Sequence, residues 1–271
     1  MNLKTWLLKQ KQTQNWKTTK ATAEACYALL LNGPVTSKGG ISQSSILDGE
    51  KIVEIKLGTG LTFSSAEGAE AGTGYFKKRI DGQNVKPEMG NILVTIKPAD
   101  GKATPSAAKG TSWGSVYWQY FEDLDKISSA ATPLSLVKKL FVEMKSDRGP
   151  VLKELKDGDN LKPGDKVKVR IELKVDRDME YVHMKDMRAA TMEPINILSG
   201  YKYQGGLGYY ETTKDASTSF FFSQLPRGTY VFEYGLFVTN TGNFSNGITT
   251  IQSMYAPEFS SHSNGIRVNV E

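Results

Sequence analysis

The chain has 271 residues, 39% of them apolar and 23% charged, with a formal net charge of +5. That balance excludes a disordered segment and leaves room for two domains. No apolar run approaches the roughly 18 residues that a membrane-spanning helix needs, and the single cysteine, Cys26, excludes an internal disulfide. Lysine and arginine are interleaved with acidic and apolar residues, as in 166–172. On a strand this spacing gathers the charges on one solvated face, and no aromatic-plus-basic platform accompanies them, so nucleic acid is not an expected partner.

Residues 2–32 read as two helices. Leu3, Trp6 and Leu7 share one face of the first, and the polar stretch 9–15 carries the turn. The second runs over 18–31, with Thr18 or Thr19 as N-cap, and Gly33-Pro34 stops it. The first six residues lack the apolar core of a signal peptide. Helical spacing begins at the second residue without lead-in or cap, which reads as a methionine added to a piece cut from a longer chain. Two helices with small-residue faces bury little alone, so they are expected to have lost their packing partners.

Beyond Pro34 the helical period disappears. Residues 51–57, 74–80, 90–96 and 114–121 are strand-like, separated by loops rich in Gly, Ser and Ala. They predict a β-domain of four to six strands over 35–127. Trp113, Tyr117, Trp118 and Phe121 place aromatics on both faces of its last strand, which is expected to be central. Residues 123–133 are small and polar and end in proline, which predicts a linker. Seven strands follow, over 136–142, 166–175, 181–188, 217–222, 229–239, 247–255 and 266–270, with turn signals at 156–159, 162–165 and 226–228. This pattern reads as an antiparallel sandwich. The fold class is therefore mainly β: a short N-terminal α-helical pair, then two antiparallel β-sandwich-type domains.

No constellation for chemistry emerges. The two histidines, His183 and His262, have no further Cys or His at ligand spacing, and no nucleophile-elbow motif is present. Residues 157–160 are too short for a calcium loop and read as a β-turn. Gly205-Gly206-Leu207-Gly208 is followed by no helical pattern, so it is not a dinucleotide fingerprint. It reads as a flexible crossing loop beside Tyr201, Tyr203, Tyr209 and Tyr210, which are candidate protein-contact residues; packing across the sandwich is the alternative. Cys26 reads as a small buried hydrophobe. The sequence thus nominates no catalytic, cofactor-binding or metal-binding residue, and no cofactor.

The turn and alternating strand of 225–234, the strand end and Pro-bounded exit of 254–259, and the segment 181–188 resemble the terminal macroglobulin-like domain of bacterial alpha-2-macroglobulin family proteins. Residues 1–34 resemble the closing helices of that family's thioester-type toroid domain, and 35–127 would be part of its CUB-like β-domain, with 134–271 the macroglobulin-like sandwich. The resemblance implies the non-catalytic C-terminal part of a long protein of the bacterial cell envelope, periplasmic or surface-anchored, that traps or inhibits proteases. Its partners would be the upstream domains of its own parent chain and, through the full-length protein, proteases, with no direct membrane insertion. The family's thioester uses a Cys-Gly-Glu-Gln-like turn that is absent here, since Tyr27 follows Cys26. Where that bond exists, residues of the terminal domain cover it, and the resemblance places Met254 and Tyr255 in such a lid over the toroid domain. A structural or adhesive sandwich module that binds glycan or protein is the rival reading, since a fold does not fix a function.

Overall fold

The computed structural model describes residues 3–30, 51–65, 67, 76–98, 114, 116–131, 134–156 and 159–271. Helices α1 (Leu3–Thr13) and α2 (Thr19–Leu30) occupy the two predicted stretches. Thr18 caps α2: its Oγ1 accepts the N–H of Ala21 at 3.0 Å, satisfying one of the free donors at the helix start. The pair builds no core of its own. Leu3, Trp6 and Tyr27 are exposed, and Ala25 is the one buried side chain among those described in the two helices. Cys26 is exposed rather than buried, because one residue beyond Ala25 it has rotated off the covered stripe. The predicted stop at Gly33-Pro34 lies outside the described residues.

The chain divides into two compact units, Met1–Leu8 with Trp16–Tyr120 and Lys9–Asn15 with Phe121–Glu271. In the first, β1 (Lys51–Leu57), β2 (Thr62–Ser64) and β3 (Ile92–Pro98) form an antiparallel sheet in the order β2-β1-β3. Two of the four expected strands are therefore present as β1 and β3. Residues 76–80 and 116–121 carry no strand, which corrects the expectation for both. In 76–80 three consecutive cations fall on both faces of any strand, so neither face can be buried. In 116–121 Tyr117 and Phe121 stand in solvent; aromatic content alone does not make a strand where no neighbouring strand covers it. Trp113 lies outside the described residues.

The second unit begins with β4 (Leu134–Met144), β5 (Val151–Glu154), β6 (Asn160–Leu161), β7 (Lys166–Val175) and β8 (Met179–Met187). Strands β9 (Met192–Pro194), β10 (Gly200–Gln204), β11 (Leu207–Lys214), β12 (Ser217–Leu225) and β13 (Gly228–Val238) follow. The last are β14 (Gly242–Ser245), β15 (Thr249–Ser253), β16 (Ser260–His262) and β17 (Arg267–Val270). All seven predicted strands are present, as β4, β7, β8, β12, β13, β15 and β17. They pair into a six-stranded sheet, β10-β11-β12-β8-β15-β16, and a five-stranded sheet, β5-β4-β7-β13-β9. A small third sheet, β14-β17-β6, contains a parallel β17–β6 pair.

Period-two alternation builds the core between the two large sheets. In β7 Val167, Val169, Ile171, Leu173 and Val175 are buried, while the intervening charges face outward. Phe220 and Phe222 of β12 meet Phe232 of β13 at centroid separations of 5.4 and 5.6 Å. The turn before β7 follows its sequence chemistry: Pro163 leads, Gly164 takes a positive φ of 91°, and Asp165 N–H closes on Lys162 O at 3.0 Å. The glycines expected to form a flexible loop instead make a tight hairpin. Gly205 and Gly206, at φ of 57° and 83°, join β10 to β11 as a two-residue turn that suits the strand twist.

The expected linker is a docked strap. Ala130 and His262 exchange backbone hydrogen bonds at 3.1 and 3.0 Å, and Gly265 N–H donates to Ile127 O at 2.8 Å. Arg267 pairs with Asp125 at 2.9 Å. The polar residues that looked like spacer sequence are the partners of the β16–β17 segment. Gly265 is the contact point, because a Cβ there would lie 2.0 Å from Leu124 O. Gly265→Ala is therefore expected to lift the strap. Amide exchange at Ala130 should rise on the order of tenfold or more, while amides in β7 keep their protection; unchanged exchange at Ala130 would contradict this docking.

Candidate functional site

The two large sheets are joined by charges that the sequence reading did not single out. Along β4 the inward positions are Leu134, Leu136, Lys138 and Leu140, and along β8 they are Val182, Met184 and Asp186. A lysine and an aspartate thus sit in apolar phase on strands of opposite sheets. Their Nζ and Oδ1 atoms are 2.7 Å apart, with side chains 1% and 0% exposed. Lys138 also donates to Met187 O at 2.7 Å. Asp186 accepts from Thr249 Oγ1 at 2.6 Å and from the hydroxyl of Tyr234. Burial, then the charge of Asp186 and the hydrogen bond to it, hold the Tyr234 phenol well above its ordinary value of 10.0. It remains a neutral donor across the physiological range. The signal available in the sequence was phase: opposite charges where period two demands apolar residues.

Removing one partner of a buried pair strands the other charge in the dry interior. Lys138→Met is therefore expected to destabilise the sandwich by about 3–5 kcal/mol in urea unfolding, and adding Asp186→Asn should recover part of the loss. A single-mutant loss below about 1 kcal/mol would mean that the pair does no more than fill space.

Four of the six nominated residues lie on the β10–β11 hairpin, and the structure separates them. Tyr201 and Tyr203 are 88% and 79% exposed. Tyr209 is buried and packs edge-on to Phe232 at 5.3 Å, so it takes the packing alternative. Tyr210 is half-buried beneath Tyr201, with ring centroids 5.0 Å apart. Met254 and Tyr255 follow β15 and are 60% and 43% exposed. Tyr255 packs edge-on against Tyr181 at 5.2 Å, and Met254 N–H donates to Tyr181 O at 2.9 Å. Tyr181 has a φ of 54°, the sole positive value at a non-glycine residue among those described. A bulky side chain in that region is strained, and such strain persists only where surrounding contacts hold it. The corner formed by Tyr181, Met254 and Tyr255 is thus rigid and solvent-facing.

His183 stacks on Phe221 with rings 4.6 Å apart and 11° from parallel. Burial first, then Lys185, lower its pKa below the ordinary 6.5. The unfolded chain therefore takes up this proton before the folded one does. The stability carried by the neutral ring is complete above pH ~6.5 and is lost as pH falls from there toward the folded value. His183→Gln should flatten this part of the decline in melting temperature between about pH 7 and 5; an unaltered slope would show that the ring does not titrate with folding.

Among the described residues no three His, Cys, Asp or Glu side chains are grouped to hold a metal. A groove beside Gly235 is lined by both signs of charge, and four of these pair off, Lys202 with Glu211 at 2.6 Å and Lys168 with Glu233 at 3.8 Å. What the second unit offers is therefore surface: an antiparallel β-sandwich module with a rigid aromatic corner. Residues 134–258 match the family model described as the bacterial alpha-2-macroglobulin MG10 domain. That segment of the chain is thus similar to a domain of the bacterial alpha-2-macroglobulin family. Solved structures that the chain matches include a mutant of Salmonella alpha-2-macroglobulin, at 16% identity and a TM-score of 0.42 over 53% of this chain and 10% of that one. A second is the native Escherichia coli protein from domain MG7 to the C-terminus, at 14% identity and a TM-score of 0.41 over 53% of this chain and 24% of that one. A third is the trypsin-activated Escherichia coli protein, at 14% identity and 0.41 over 54% and 11%. The chain thus spans about a tenth of the length of the Salmonella structure it matches. No curated protein sequence matches the chain.

Proposed function

We propose that this chain is the non-catalytic C-terminal region of a large bacterial alpha-2-macroglobulin-like protein that traps or inhibits proteases. The observation that carries this reading is the match of residues 134–258 to the MG10 domain. In it, α1 and α2 are the closing helices of the toroid domain over 1–34, and their uncovered apolar faces fit helices that pack on further toroid helices. The sheet of β1, β2 and β3 belongs to the CUB-like portion over 35–127. The sandwich holds the toroid domain before cleavage and releases it afterwards, a task that needs an interface of moderate stability, since a permanent one could not switch.

Met254 and Tyr255 are the proposed lid residues. Their support is the rigid corner on Tyr181. Just before that corner Glu180 Oε2 accepts the backbone N–H of Asn15 at 3.3 Å, so the segment following α1 reaches the same end of β8. A large apolar side chain held over a reactive ester lowers local water and slows its hydrolysis. The partners in this reading are the parent's upstream domains and, through the full-length protein, proteases. Its location is the bacterial cell envelope. Among the described residues no helix is long and apolar enough to cross a membrane.

The reading is tested on the full-length parent. After treatment with a broad-specificity protease, the protein should become more compact by small-angle scattering. The protease should co-elute with it, active on small substrates and blocked on large ones. If no protease is retained and no compaction follows cleavage, the trapping role is wrong.

A further inference from the structure

The dipeptide Asn-Gly occurs three times, at 32–33, 246–247 and 264–265. The first lies outside the described residues. The other two both follow a serine, yet their settings differ. Asn246 is fully buried, and its Oδ1 accepts the N–H of Ala189 at 3.2 Å. Asn264 is exposed, and the strap before β4 is what holds it. Ser129 N–H donates to Asn264 Oδ1 at 2.5 Å, and Gly265 N–H donates to Ile127 O at 2.8 Å.

An asparagine before glycine is prone to cyclise, because glycine has no Cβ to obstruct its nitrogen and lets the backbone bend toward the side chain. Gly265 N would attack Asn264 Cγ. The N–Cγ bond forms, the Cγ–Nδ2 bond breaks, and Nδ2 leaves as ammonia, gaining the proton that Gly265 N loses. Water then opens the cyclic imide, at one carbonyl to aspartate and at the other to isoaspartate, whose backbone runs through the former side chain. The strap engages both reacting groups. The amide that must lose its proton donates to Ile127, and the carboxamide that must swing toward it is tied to Ser129. The docked strap also fixes the glycine, since a Cβ at 265 would lie 2.0 Å from Leu124 O.

We propose that Asn264–Gly265 is a self-modification site guarded by the strap, where undocking becomes a lasting covalent change. While the strap is docked, cyclisation must break two hydrogen bonds at once. The strap itself is lightly held. Ser129 and Ala130 are exposed, and the contacts are mostly backbone hydrogen bonds with the Asp125–Arg267 pair. Such a segment opens locally before the sandwich does, and while it is open Asn264 reacts as in a free chain. An aspartate formed there still accepts from Ser129, so the strap can return. An isoaspartate lengthens the backbone by one methylene before Gly265 N. Ser129 and Ile127 then no longer meet their partners together, and the strap stays off. This inference does not rest on the trapping role, and its test uses the 271-residue chain alone, so the two readings fail independently.

Wild type and Ser129→Pro, which lacks the N–H that holds Asn264, are aged side by side at mildly alkaline pH. Peptide mapping by mass spectrometry reads amide-to-acid conversion at 264 and 246, and labelling by isoaspartyl methyltransferase reads the isoaspartate. Conversion at 264 should be on the order of tenfold faster in Ser129→Pro, with Asn246 intact in both, and Asn264→Gln should abolish the signal. If the proline unfolds the domain, Asn246 converts as well, and the wild-type chain in graded urea decides: 264 should convert at concentrations that leave 246 untouched. The isoaspartyl form, separated by ion exchange, should have lost amide-exchange protection at Ala130. Equal rates at 264 in a folded Ser129→Pro and wild type, or conversion of 264 and 246 at the same urea concentration, would overturn the guarding role. Full protection of Ala130 in the isoaspartyl form would overturn the lasting change.

Discussion

An ammonium group inside a β-sandwich is tolerated only where a carboxylate and further hydrogen bonds replace its water, because dehydrating each ion costs several kcal/mol. Lys138 and Asp186 meet that condition from opposite sheets, and Tyr234 and Thr249 complete the carboxylate's shell. The arrangement constrains phase. A one-residue slip of β4 would turn Lys138 to solvent and drive Val137 inward, leaving Asp186 buried without its cation. A slip of β8 would do the converse and would also turn Tyr181 and His183 into the core. The buried pair thus fixes which side of β8 faces water, and with it the aromatic surface of the six-stranded sheet.

That surface gains its rigidity from the layer beneath. Phe220 and Phe222, inward on β12, pack on Tyr209 and Phe232, while Phe221 between them faces outward onto His183. One strand therefore serves two aromatic layers, one closing the core and one presented to solvent. The strained corner at Tyr181 ends the outer layer where Met254 and Tyr255 begin.

The long alternating strands were legible because each buries one face: the spacing of 166–175 defined β7 to the residue. The short strands were not. β6, β9 and β16 have two or three residues each, too few for a period to show, and they exist because longer neighbours offer free edges. The β10–β11 hairpin was missed for another reason. Two consecutive glycines signal mobility or a tight turn, and only the aromatic alternation on both sides decides between them. In 116–121 aromatic content on both faces misled, since the burial that would make it a strand is missing. Of the candidate site, Met254 and Tyr255 were nominated by the family resemblance alone, and their packing beside the strained Tyr181 had no signal in the sequence. The Lys138–Asp186 pair required reading charge against phase on two strands far apart in sequence.

The strap before β4 alters where this domain begins. A gene shortened to start at Leu134 would appear to keep every strand of both large sheets. It would nonetheless strip Ala130 from the margin of β16 and Ile127 from Gly265. Bare backbone donors and acceptors along such a margin recruit other chains. Self-association of a protein trimmed in this way would report a lost cover rather than a native oligomer.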